Sequence, residues 1–126
     1  MPYIYFNPNP RGKHVTDCTI RMICLLENMT WREAFDAVTD ICREEYDMPS
    51  SDVMWGKFLS RRGYTKHIIP DTCPDCYSVK DFCYDNPIGA YCLKTTGHVI
   101  GVIDGDYYDS FDSGDKVPIY YWRKER

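Results

Sequence analysis

The last third of the chain constrains the fold most, because its apolar runs alternate with tight-turn signals. Residues 90–94 lead into Thr96-Gly97, residues 98–103 into Asp104-Gly105-Asp106, and residues 107–111 into Ser113-Gly114-Asp115 before residues 117–122. Short runs rich in Val, Ile and Tyr read as strands, and Asp-Gly between two of them is a strong hairpin signal. The pattern predicts an antiparallel meander. Its last strand is expected at an edge, because Pro118 cannot donate to an interior ladder. Such a sheet needs apolar helices laid against it, and the first half of the chain supplies them.

Ile20, Ile23 and Cys24, with Leu25 or Leu26, recur at helical spacing behind Thr16 and Asp17, both good N-cap types. They predict a mostly buried helix that begins near Asp17-Cys18 and stops at Glu27-Asn28. Thr30-Trp31-Arg32-Glu33 is a capping box, in which the hydroxyl and the carboxylate satisfy free backbone N–H groups reciprocally. It opens an amphipathic helix carrying Ala34, Phe35, Val38, Ile41 and Cys42 to about residue 45. Ser51 caps a third helix, with Val53, Met54, Phe58 and Leu59, that stops at Gly63. Residues 3–6 and 64–69 read as further strands and residues 70–77 as a loop. Ser78 caps a short helix that ends before Asn86-Pro87, and the charged tail, residues 123–126, is expected to fray. Helices first and strands afterwards predict a single α+β domain over residues 1–126, its N-terminal helical part packed on a C-terminal antiparallel sheet of four to five strands.

Several function classes are disfavoured by composition. Net charge is -4, which speaks against a general nucleic-acid binder, since that would show a basic patch or stripe. No stretch approaches the roughly 18 uninterrupted apolar residues of a membrane span. Met1-Pro2-Tyr3-Ile4-Tyr5 lacks the basic and apolar regions of a signal peptide, so a cytoplasmic location is expected. In that compartment the seven cysteines are expected to be reduced. Cys24, Cys42 and Cys92 lie on apolar patterns and read as core. Cys73-Pro74-Asp75-Cys76, with Cys83 downstream, offers a weak zinc alternative, because a structural site usually needs two close pairs and only one is present. The Asp-rich residues 104–115 lack the spacing of a Ca²⁺ loop and read as turn chemistry. No cofactor is expected.

The remaining cysteine is the informative one. Cys18 opens a predicted helix, where free N–H groups and a partial positive charge stabilise a thiolate. His98 follows Gly97 at the start of a predicted strand and is the usual base for such a thiol. Parity supplies a third member. With Asp104-Gly105 as a two-residue turn, Asp109 opposes Ile100 and is the diagonal neighbour of His98, roughly 7–8 Å away at the backbone. A three-residue loop would invert the parity and bring Asp112 opposite His98. Asp109 is preferred, because Asp112 lies beside a turn signal that accounts for it. Arg21, one turn after Cys18, reads as a structural partner of an acidic neighbour.

Asp17-Cys18-Thr19-Ile20-Arg21, then Asn86-Pro87-Ile88-Gly89-Ala90-Tyr91, then residues 97–105, then Tyr108-Asp109-Ser110-Phe111-Asp112 make an ordered pattern. It resembles the papain-like cysteine peptidase superfamily, in particular small bacterial and phage-encoded members similar in size to the peptidase domains that process bacteriocin leaders. The resemblance implies a papain-like fold with Cys18 as nucleophile, His98 as general base and acid, and Asp109 orienting His98. The superfamily places a Gln or Asn upstream of the cysteine for the oxyanion. This chain has no Gln, so that role falls to Asn9, the nearer of two upstream amides, with the Cys18 backbone N–H as a second donor. The implied activity is that of a thiol peptidase or amidase, a monomer acting on a peptide or protein substrate. Transglutaminase-like acyl transfer uses the same residue order. Two other readings stand beside it: a papain-fold binding or accessory module without turnover, and a zinc-stabilised interaction domain built on the Cys73-Cys76 loop.

Overall fold

The computed structural model describes residues 2–125; Met1 and Arg126, the ends of the expected domain and tail, lie outside the described residues. In chain order the elements are β1 (Tyr3–Tyr5), α1 (Cys18–Glu27), α2 (Trp31–Glu45), α3 (Asp52–Arg61), β2 (Tyr64–Ile68), α4 (Val79–Asp85), β3 (Ala90–Thr95), β4 (His98–Ile103), β5 (Asp106–Asp109) and β6 (Tyr120–Lys124). The class is α+β. No described helix is long and apolar enough to cross a membrane.

The helix boundaries follow local chemistry. Thr30 and Glu33 form the expected capping box at the start of α2, and Ser78 with Asp81 forms another at the start of α4. Asn28 and Tyr46 close α1 and α2 in the left-handed conformation.

The strands form one sheet in the order β1-β5-β4-β3-β6-β2. Two expectations are corrected here. The sheet has six strands and is mixed, because β1 pairs parallel to β5, Tyr3 opposite Tyr107 and Tyr5 opposite Asp109. A parallel pair needs a long crossover, and the whole helical half of the chain provides it. The last strand is also not at an edge. β6 lies between β3 and β2, so the meander breaks after β5. The connecting segment docks on the first turn of α4, where Val79 N–H donates to Lys116 C=O and Lys80 N–H to Gly114 C=O. Ile119 then donates to Lys94 C=O and accepts from Ile69 N–H, threading the chain between two strands. Pro118 precedes this ladder and owes it no donor. Arg123 and Lys124, expected to fray, pair with Thr65 and Tyr64 in β2.

Side-chain alternation gives the sheet two buried faces. Cys92 and Val99 join Ile20, Ile23, Val38, Trp55 and Leu59 under α1, α2 and α3. Tyr91, Leu93, Ile100, Val102 and Tyr107 join Val79, Phe82 and Cys83 under α4. α1 can lie close against β4 because Gly101 has no side chain: a Cβ there would stand 2.5 Å from Leu25 Cδ2. That contact fixes where the first residue of α1 falls.

Candidate active site

Cys18 is the first residue of α1, and its cap residue behaves unusually. Asp17 makes no side-chain bond to the helix N-terminus. Its carboxylate instead accepts from Arg21 Nη1 at 2.8 Å and from the Trp31 indole Nε1 at 2.8 Å. The leading N–H groups of α1 therefore keep their partial positive charge without a side-chain cap.

His98 is the first residue of β4, straight after Gly97, which turns the β3–β4 hairpin in the left-handed region (φ 70°). On the other side of β4, residues 104 and 105 both have positive φ, as a two-residue hairpin turn requires. The register follows: Ile103 faces Asp106, Val102 faces Tyr107 and Gly101 faces Tyr108. Asp109 follows Tyr108 just past that ladder, where it pairs with Tyr5 of β1. Its Oδ2 lies 2.6 Å from His98 Nε2.

Asp109 is fully buried, and every lone-pair direction of its carboxylate is used. Oδ2 also accepts from Ser113 Oγ at 2.7 Å, while Oδ1 accepts from Ser110 N at 2.8 Å and from Arg21 Nη2 at 3.1 Å. Arg21, itself buried, therefore joins Asp17, the residue before Cys18, to the residue that holds His98. The sequence leads to the expectation of one acidic neighbour for Arg21, and the structure gives it two, Asp17 at i−4 and Asp109.

The electrostatics single out one thiol. Burial raises the Cys18 pKa, but hydrogen bonding to the His98 side chain and the Val99 backbone, with the charges of His98 and Arg21, outweighs it and holds the thiol below its ordinary value. Burial alone would lower the His98 pKa. Hydrogen bonds to Asp109 and Cys18, and their charges, instead raise it to about 9. Asp109 is held below the usual carboxylate value: burial opposes this, and hydrogen bonds from His98 and Ser113 prevail. The other free thiols go the opposite way, mainly by burial, Cys24 up to about 11 and Cys83 up to about 12, with Cys42 and Cys92 also raised. Nε2 of His98 is engaged by Asp109, which leaves Nδ1 as the ring nitrogen not held by the carboxylate.

The other sequence candidates lie elsewhere. The Asn9 carboxamide oxygen accepts from Arg11 N at 2.9 Å, and its backbone N–H donates to Asn7 Oδ1 at 3.3 Å, so it shapes the loop before α1. It does not line the cleft that holds Cys18. Asp112 accepts from the Tyr107 hydroxyl and from Gly114 N, and not from His98. Cys73 and Cys76, expected as reduced thiols, are joined in a disulfide; the turn between them brings their Cα atoms to 4.2 Å. Cys83 lies on the buried face of α4, and no described group of three or more His, Cys, Asp or Glu is arranged to hold a metal ion. The zinc alternative on Cys73, Cys76 and Cys83 is therefore set aside.

A cleft of about 240 Å³ opens over Cys18 and His98, walled by Thr16, Ser50, Asp52, Trp55 and Lys94. Sequence reasoning passed over Ser50 and Lys94, since neither belongs to a motif and they meet only where the start of α3 reaches Lys94 of β3, Asp52 pairing with it at 3.6 Å. Comparison with family models, with curated proteins and with solved structures finds no match to this chain.

Proposed function

We propose that this chain is a papain-like thiol hydrolase, a peptidase or amidase that works through an acyl-enzyme. The observation that carries the reading is the contrast among thiols: Cys18 is held down beside an imidazole bound by a buried carboxylate, while the other free cysteines are pushed up. In this reading the Cys18 thiolate attacks a substrate carbonyl carbon and a C–S bond forms. The carbonyl π-electrons move to oxygen, where the uncapped Cys18 N–H is a donor for the oxyanion. Collapse breaks the C–N bond, and His98 gives its Nδ1 proton to the leaving amine. Neutral His98 then takes a proton from water, hydroxide adds to the thioester, and the acid leaves as Cys18 returns to thiolate. Asp109 keeps its charge throughout, orienting the ring and stabilising the imidazolium.

A second reading, a papain-fold binding module without turnover, is favoured by one observation. Asn9 is engaged in its own loop, so the cleft has no upstream side-chain amide for the oxyanion. The first test is iodoacetamide alkylation of each cysteine against pH, mapped by mass spectrometry, for the native chain and His98→Ala. The hydrolase reading expects Cys18 to react rapidly below about pH 7 and to lose that advantage in His98→Ala. A Cys18 that reacts only near the ordinary thiol pKa of about 8.5 overturns the nucleophile assignment. A reactive Cys18 that never releases product from peptide or amide libraries favours the binding module.

A further inference from the structure

Asp52 is one wall of the cleft over Cys18. The same residue lines a second groove, about 320 Å³, that runs along one face of α3 against β2 and β6. Val53, Gly56, Lys57 and Ser60 of α3 form one wall; Lys66, Tyr120 and Trp122 form the other. The volume is at the small end of ligand pockets, roughly 300–1,000 Å³, which suits a side chain and not a cofactor.

The charges in this groove do not balance. Asp52 accepts from Trp55 Nε1 at 3.2 Å and pairs with Lys94 at 3.6 Å. Lys57 pairs with Glu45 at 3.0 Å. Lys66 has no carboxylate within 4.0 Å among the described residues, and its ammonium lies 4.1 Å from the centre of the Tyr120 ring. The groove thus presents one uncompensated cation over an apolar, aromatic floor, on a chain whose net charge is -4. A like-charged occupant would meet Lys66 with nothing to offset it, whereas a carboxylate on an aliphatic stem would pair with the ammonium and cover the rings.

Resting on the thiol-hydrolase reading, we propose that this groove is a substrate subsite and that it selects an acidic side chain of a peptide whose reacting carbonyl lies at Cys18. Lys66 supplies the charge, and Tyr120 with Val53 supplies the apolar wall.

The test uses the full chain and tetrapeptidyl acyloxymethyl ketones that alkylate the thiol, with Glu, Lys or Leu scanned through the positions next to the reactive group. Each Cys18 labelling rate is divided by that variant's rate with iodoacetamide, which is too small to reach the groove. At one position Glu is expected to exceed Lys at least fivefold, and Lys66→Glu to reverse the order. Lys66→Met, which keeps the stem, is expected to remove the preference. Equal rates for Glu and Lys, a Leu preference that ignores Lys66, or a preference unchanged in Lys66→Glu overturns the subsite while leaving the hydrolase reading intact. Slow iodoacetamide labelling of Cys18 overturns that reading and the subsite with it.

Discussion

Replacing Arg21 by Met would test the buried charge network directly. The Arg21 side chain is 7% exposed, and those of its partners Asp17 and Asp109 are 4% and 1% exposed. Removing one member of a buried pair costs about 3–5 kcal/mol, because the partner charge stays behind without compensation. Both carboxylates here keep other donors. Asp17 retains the Trp31 indole; Asp109 retains Ser110 N, Ser113 Oγ and His98 Nε2. The loss should therefore lie near the lower figure, about 3 kcal/mol at pH 7. Urea unfolding followed by circular dichroism measures it. Arg43→Met is the control, since the Arg43–Asp40 pair has side chains 73% and 66% exposed and should cost no more than about 0.5 kcal/mol. A loss below about 1 kcal/mol, or one no larger than that of Arg43→Met, would refute the reasoning that this guanidinium neutralises two buried carboxylates.

Three further outcomes are expected. Asp109→Asn should slow Cys18 alkylation at pH 6 by tenfold or more, whereas Asp112→Asn should change it less than twofold; equal effects would mean that the hydrogen bond to His98 does not set the thiol's reactivity. The His98 pKa is raised from 6.5 to about 9, so its contribution to stability is fully present below 6.5 and disappears as pH rises through about 9. In a Cys18→Ser background the Asp109 contribution remains and that of Cys18 is lost. The urea stability of the His98-containing chain should therefore converge on that of His98→Gln above pH 6.5 and before about 9, and parallel curves there would contradict the assignment. Gly101→Val should destabilise the fold by about 1–3 kcal/mol through overpacking against Leu25, and Gly101→Val with Leu25→Ala should recover at least half of the loss.

Residues whose placement depends on local periodicity were legible in the sequence. Asp109 could be chosen over Asp112 because strand alternation and a two-residue turn are properties of a dozen neighbouring residues. The helix that begins at Cys18 was legible for the same reason, through its cap types and apolar spacing. What was hidden depends on pairing between distant segments. Nothing in Tyr3-Ile4-Tyr5 says that its partner is β5 or that the two run parallel. Nothing near Pro118 says that the chain crosses the sheet and enters beside β3. Ser113 was hidden with it, since it lies in that crossing segment, and the second partner of Arg21 was hidden because it depends on how α1 packs across β4 and β5. Asn9 misled for a different reason: an amide upstream of a cysteine can serve an oxyanion or cap its own turn, and composition does not separate the two.

The parallel pairing of β1 with β5 also sets a schedule. Phe6 N–H donates to the Asp109 carbonyl at 2.8 Å, and the Tyr3 hydroxyl reaches the same oxygen across 106 residues of sequence. During synthesis at roughly 5–20 residues per second, the first strand waits roughly 5–20 s for its neighbour. For most of that interval Cys18 is already made, but the imidazole that lowers its pKa is not. A nascent or truncated chain that ends before β4 would therefore carry Cys18 as an ordinary thiol, safe toward the polypeptides crowded around the ribosome. In the thiol-hydrolase reading, the low thiol pKa would then belong to the finished topology, and strand order would set when it arises.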